Sequence, residues 1–179
     1  MRNKMSNPNY KFALREDLKD NKEFLPTRAH DTDTGWDVRA AMSDRKPLVL
    51  KPLQKIAIPL GFRGFCPGNF WYELKPRSST FGKKSLHALY GTIDETYEGE
   101  LVFACQYIPA LNLTENYLQT WYEYLHHELT INFGDAIGQL IPVRRQEMEV
   151  INISNEEYNE ETKRRDAARK EGGFGSTGA

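Results

Sequence analysis

Cysteine is scarce in this 179-residue chain: Cys66 and Cys105 stand far apart, with no CxxC pair and no Cys/His metal spacing. That argues against a disulfide scaffold and a thiolate zinc site, and it predicts two buried, reduced thiols in a cytoplasmic protein. An excess of charge is also missing. Lys and Arg number 24 against 25 Asp and Glu, a net charge of -1, so there is no broad basic field for nucleic acid and any grip on phosphate has to be local. No apolar run approaches the length of a membrane span. The first residues, Met1-Arg2-Asn3-Lys4-Met5-Ser6-Asn7-Pro8, lack the apolar core of a signal peptide. Hydrophobic residues are only 39%, but aromatics are 12%, which supplies a core for one domain at this length.

What the chain does have is punctuation. Pro47, Pro52, Pro59, Gly61, Gly64, Pro67, Gly68, Pro76, Gly82, Gly91 and Gly99 recur through the middle. Between them lie short segments rich in β-branched and aromatic residues, at 55–60, 70–74, 100–108, 128–133 and 136–143. Many short strands with frequent turns predict an all-β sandwich or barrel. Two stretches break the rhythm. Residues 112–127 place Leu113, Tyr117, Trp121, Tyr124 and Leu125 near helical spacing, with Thr114-Glu115 as a helix start; this predicts a helix inserted in a hairpin connection, its apolar stripe packed on its own domain. Residues 155–171 are almost wholly polar and read as a solvated linker, with a helix over 156–170 as the other reading. The core domain is therefore set at 1–154, with a helical insert at about 109–127 and an arm at 155–179.

Five segments carry candidate chemistry. Asp31, Asp33 and Asp37 alternate in His30-Asp31-Thr32-Asp33-Thr34-Gly35-Trp36-Asp37; they are suited to Mg²⁺ or its waters, or to a polar turn before a strand. Lys75-Pro76-Arg77-Ser78-Ser79-Thr80 joins a guanidinium to hydroxyls and exposed backbone N–H groups, a compact grip for phosphate or an ordinary capped turn. Gly91-Thr92-Ile93-Asp94-Glu95-Thr96-Tyr97-Glu98-Gly99 reads as a hairpin tip with an acid just inside it, able to orient a water beside the flat wall of Tyr97. Gln139 is the one amide in the apolar run 136–143 and needs partners if buried. Last comes Gly172-Gly173-Phe174-Gly175-Ser176-Thr177-Gly178. Its four glycines free backbone N–H groups for an anion, and Phe174 adds one aromatic plate.

Taken in order, these segments resemble the five motifs of the homotrimeric dUTPases (deoxyuridine triphosphate nucleotidohydrolases), from Ala29 to Gly178. The resemblance implies a distorted β-barrel or jelly roll, a flexible Gly-rich tail, and a trimer with three shared active sites. It implies Mg-dependent hydrolysis of dUTP to dUMP and pyrophosphate by water attack on the α-phosphorus, which limits uracil in DNA and supplies dUMP for dTMP synthesis. By the same resemblance Asp94 activates the water and Tyr97 stacks under the deoxyribose. The backbone at Gly91, Thr92 and Ile93 reads uracil; Arg77, Ser78, Ser79 and Gln139 bind phosphates; Asp37 holds Mg²⁺ through a water. Phe174 lies over the base, while Arg169, Gly175, Ser176 and Thr177 close on the outer phosphates.

Four departures from the family pattern stand out: Ala136 in place of an Arg, Lys170-Glu171 between Arg169 and Gly172, Thr80 in place of a Leu, and the insert itself. The sister dCTP deaminases share the Arg-Ser-Ser segment but need an acid where this chain has Ala104. Another deoxynucleoside triphosphate as substrate, or a regulatory nucleotide-binding protein with the inserted helix as partner surface, are the remaining alternatives.

Overall fold

The computed structural model describes residues 9–110 and 116–165. They fall into two compact units that divide between Arg145 and Gln146. The first is built almost entirely of short antiparallel strands: β1 (Lys11–Leu14), β2 (Trp36–Arg39), β3 (Leu48–Leu50), β4 (Lys55–Pro59), β5 (Phe62–Phe65), β6 (Phe70–Pro76), β7 (Leu86–Ala88), β8 (Gly91–Ile93), β9 (Val102–Tyr107), β10 (Leu129–Ile131) and β11 (Ala136–Arg144). A five-residue helix, α1 (Ser78–Gly82), follows β6, and α2 (Tyr117–His126) lies between β9 and β10.

The strands form four small sheets, ordered β1-β5, β10-β3, β2-β11-β6-β8 and β4-β9-β7. Among the described residues they form no single closed ladder, so the architecture is jelly-roll-like rather than a continuous barrel. The alternation in β6 and β9 explains how the layers meet. Tyr72 and Leu74 on β6, and Phe103, Cys105 and Tyr107 on β9, turn inward, where they join Val38, Leu50, Ile58, Phe62, Leu86, Ile131, Ile137 and Leu140. Gly138 lets β11 approach closely: a Cβ there would sit 3.0 Å from the Phe103 ring. A satellite cluster of Leu18, Phe24 and Ala41 is closed by Phe133, whose ring lies 4.7 Å from that of Phe24. Gly61 makes the turn from β4 to β5 at φ +76°, hard against Leu18 and Ala41; both the angle and the space require glycine.

Two topological expectations are corrected. Segment 94–101 is not a hairpin tip, because β8 pairs with β6 whereas β9 pairs with β4 and β7; it carries the chain from one sheet to another. Likewise α2 links β9 to β10, which pairs with β3, so it does not sit in a hairpin. Asn116 caps α2, its side-chain oxygen accepting from the N–H groups of Leu118 and Gln119. The proposed start at Thr114-Glu115, like Leu113, lies outside the described residues. The apolar stripe is also not packed on its own domain as expected. Thr120 is the buried residue of the helix; of the stripe, Tyr117, Trp121 and Leu125 are exposed and Tyr124 is half-buried, with Leu118 and Tyr122 exposed beside them. The helix is tied down at its C-terminal end by a hydrogen bond between the Tyr107 hydroxyl and His127 Nδ1.

In the second unit, residues 155–165 form a helix, α3 (Asn155–Arg165), with no buried residue. The linker reading gives way to helix here for local reasons. Ser154 Oγ accepts from the Glu157 N–H, Glu156 and Glu157 occupy the first turn, and Lys163, Arg164 and Arg165 the last, an arrangement that complements the helix dipole at both ends. The two thiols are free. Cys105 is buried, and burial pushes its pKa up to about 11; Cys66 is only half-buried, contrary to expectation, and burial raises it as well.

Candidate active site

The four-stranded sheet β2-β11-β6-β8 positions most of the candidate residues that are described. At one end, Asp37 of β2 is in register with Gln139 of β11, and Gln139 with Lys75 of β6. Arg77 follows β6 directly, and its Nε lies 3.1 Å from Asp37 Oδ1. A carboxylate from β2, an amide from β11 and a guanidinium just past the end of β6 therefore gather at one end of the sheet. Gln139 is half-buried and its side chain covers Gly35, where a Cβ would come within 2.8 Å of Oε1. It needs no buried partner, because it lies on the outward side of the strand. Ser78 and Ser79 open α1, which has no side-chain cap, so the first backbone N–H groups of that turn keep donor capacity. Thr80, the residue that departs from the family's Leu, is fully buried and donates to the Ile137 carbonyl at 2.7 Å, which seats α1 against β11. Beside Ala136, Lys84 pairs with Asp135 at 2.9 Å.

Asp31 and Asp33 do not join Asp37. Asp33 closes a turn, its carboxylate accepting from the His30 N–H at 2.9 Å and its N–H donating to the His30 carbonyl at 3.0 Å, so the polar-turn reading holds for that pair. Among the described residues no group of three or more His, Cys, Asp or Glu side chains gathers at a potential metal site. The single half-exposed carboxylate of Asp37 still fits the donor chemistry of Mg²⁺, which keeps most of its waters and relies on one or two carboxylates plus substrate phosphates.

The second group surrounds β8. This strand pairs with β6 through Gly91, Thr92 and Ile93, and it is the edge of its sheet. Its outer backbone N–H and C=O groups are thus available to a ligand with donors and acceptors on a flat edge. Asp94 comes directly after Ile93. It is exposed and, among the described residues, its carboxylate makes no hydrogen bond or ion pair. The Asp94–Tyr97 turn is closed by the Tyr97 N–H to the Asp94 carbonyl at 3.0 Å. The Tyr97 ring lies over Gly99, where a Cβ would come within 2.5 Å of its hydroxyl oxygen, and that hydroxyl donates to the Glu100 carbonyl at 3.2 Å. Glycine at 99 is what lets the ring lie down. We therefore expect Gly99→Ala to displace the Tyr97 ring; where Tyr97 is the sugar wall that the family resemblance implies, this weakens sugar discrimination about tenfold, measured as the ratio of kcat/KM for deoxyribo- and ribonucleotide.

The two groups are not brought together within one chain. One further step of the β6–β8 register sets Asp94 beside Trp71, six residues along β6 from Arg77, or about 20 Å at the rise of a strand. A groove of about 570 Å³ on the β4-β9-β7 sheet, lined by Lys55, His87, Ala104 and Gln106, contains none of these residues. Arg169, Phe174, Gly175, Ser176 and Thr177 lie outside the described residues. Sequence reasoning missed the contacts that Glu95, the residue after Asp94, makes with Asn69 and Arg145; their signal, an acid directly after Asp94, is visible only once the fold brings Asn69 and Arg145 beside it.

A guanidinium–carboxylate pair with free backbone N–H groups beside it stands at one end of the sheet, and an open strand edge with a free carboxylate at the other, in an antiparallel β-protein. Curated relatives narrow this class. The deoxyuridine 5'-triphosphate nucleotidohydrolase of Finegoldia magna is 33% identical over 156 residues, covering 86% of this chain and 91% of that protein. The enzyme of the same name from Legionella pneumophila strain Paris is 33% identical over 159 residues, 86% of each. The chain belongs to the dUTPase family. Among solved structures, the dUTPase of Staphylococcus bacteriophage 80alpha matches with a TM-score of 0.71 at 22% identity, over 96% of this chain and 99% of that one. The dUTPase from phage phi11 of S. aureus matches at 0.63 and 22%, over 82% and 97%. Both share the fold. No protein-family model matches the chain. Among the described residues no helix is long and apolar enough to cross a membrane.

Proposed function

We propose that the protein hydrolyses dUTP to dUMP and pyrophosphate, in active sites shared between the subunits of a homotrimer. The observation that carries this reading is the arrangement at β8: an unpaired backbone edge for the base, the free carboxylate of Asp94 at its exit, and the Tyr97 ring seated on Gly99. In the proposed reaction Asp94 accepts a proton from a water aligned with the α-phosphorus. A bond forms from the water oxygen to that phosphorus, the bond to the bridging oxygen breaks, and pyrophosphate leaves. One well-placed base of this kind contributes ~10²–10⁴-fold. Tyr97 packs against the deoxyribose and has no room for a 2′-hydroxyl. Arg77, Ser78, Ser79 and Gln139 hold the phosphates and keep them in line. Asp37 would hold Mg²⁺ through a water, and the ion when bound supplies charge neutralisation along the triphosphate.

Sharing of the site follows from the distance between the two groups. If Asp94 and Arg77 serve one substrate yet lie about 20 Å apart along one sheet, they serve it from different chains. The tail completes the same reading: Phe174 covers the base, and Arg169, Gly175, Ser176 and Thr177 close on the outer phosphates. The exposed Tyr117, Trp121 and Leu125 of α2 make the insert the place for a protein partner, added to catalysis rather than replacing it.

Pyrophosphate release with Mg²⁺, measured against each deoxynucleoside triphosphate and UTP, tests the substrate. The expected result is a strong preference for dUTP over dCTP, dTTP and UTP. Equal turnover of another nucleotide would remove the uracil assignment.

A further inference from the structure

We infer that Glu95, Asn69 and Arg145 form a clamp that positions Asp94 and Tyr97 for the reaction. The inference rests on the roles proposed above for those two residues. β8 is only three residues long, and its ladder to β6 ends at the Tyr72–Ile93 pair. The next residue is Asp94, and nothing in the sheet holds the chain beyond it. Glu95 takes over. Its Oε2 accepts from the Asn69 backbone N–H at 3.2 Å and from Arg145 Nη1 at 3.3 Å. Arg145 in turn donates from Nη2 to Asn69 Oδ1 at 3.1 Å and from its backbone N–H to the Asn69 carbonyl at 2.8 Å.

Each member comes from a different piece of chain. Asn69 sits at φ +67° in the turn that enters β6, a left-handed conformation that asparagine tolerates better than most residues. Arg145 directly follows β11, whose Arg144 is in register with Phe70. Glu95 follows β8. The three strands are neighbours in the order β11-β6-β8, so the clamp crosses all three at the same end of the sheet. Asp94 is thereby held from both sides, by the ladder at Ile93 and by the clamp at Glu95, while its own carboxylate stays free. The clamp also fixes the turn whose far end is Tyr97. A general base and a sugar wall need this: fixed backbone on both flanks and a side chain with no competing partner.

Half-exposed ion pairs of this kind contribute little to folding, so a positioning role separates cleanly from a structural one. Glu95→Ala in the full chain should lower kcat for dUTP about tenfold with KM little changed, and lower the dUTP-to-UTP preference by a similar factor, while the melting temperature moves by no more than about 2 °C. Arg145→Met should do the same, and the double variant should be no worse than either single one, because both remove one clamp. Glu95→Gln, whose amide oxygen still accepts from the Asn69 N–H, should recover much of the loss. Unchanged kcat and sugar preference in Glu95→Ala, or losses that multiply in the double variant, would overturn the clamp. The assignment of Asp94 fails separately, through full turnover by Asp94→Asn.

Discussion

Replacing Asp94 by Asn should lower kcat for dUTP by about 10²–10⁴-fold, the range lost with a single general base, and leave nucleotide binding nearly intact. The substitution keeps the size of the side chain and removes only its ability to take a proton. Asp94 is exposed and has no hydrogen-bond or ion-pair partner among the described residues, so no structural contact is sacrificed and stability should stay within about 0.5 kcal/mol. Rapid-quench measurement of single-turnover hydrolysis, together with calorimetric binding of a non-hydrolysable dUTP analogue, separates the two effects. Loss of binding in step with turnover would make Asp94 a ligand contact rather than the base.

Arg77→Gln should give the second large effect, a fall of about 10²-fold in kcat/KM, comparable to removing one preorganised donor from a charged transition state. Arg77 lies 3.1 Å from Asp37, whose register partner is Gln139, so its guanidinium is held in place where the triphosphate is expected, with its remaining donors free for a phosphate. Its ion pair with Asp37 is partly exposed and is worth no more than about 1 kcal/mol to folding. The loss should therefore appear in kinetics and not in melting. Arg77→Lys keeps the charge without the planar fork and should recover only part of the activity. A drop in stability with normal kinetics would assign Arg77 to the fold.

The sequence was most readable where hydrophobic alternation was long. β4, β6, β9 and β11 coincide with the segments expected as strands, because each runs five residues or more and turns alternate apolar side chains into the common core. β10 is also where a strand was expected, at 128–133, but other short strands were not legible: β2 reads Trp-Asp-Val-Arg and β8 reads Gly-Thr-Ile, too short for a period to emerge. Pairing was also out of reach. Apolar residues on both sides of 94–101 imitate a hairpin, but those strands join different sheets through contacts remote in sequence. The helix in the insert was visible from its spacing, whereas the outward direction of Trp121 and Leu125 was not, since periodicity identifies an apolar face without saying what covers it. Residue types in the candidate site were legible as a pattern. Their separation into two groups at opposite ends of one sheet depends on register, which spacing along the chain does not reveal.

Mixing two impaired variants tests the shared site most directly. Asp94→Asn chains keep Arg77, and Arg77→Gln chains keep Asp94. If each site combines Asp94 from one subunit with Arg77 from another, random reassembly of the two in equal amounts should regain roughly a quarter of wild-type activity, because about one pairing of neighbours in four unites both intact residues. Native mass spectrometry would verify that mixed trimers have formed. Activity that stays at the level of the parent variants in those mixed trimers would contradict the account and place both residues in a site within one chain.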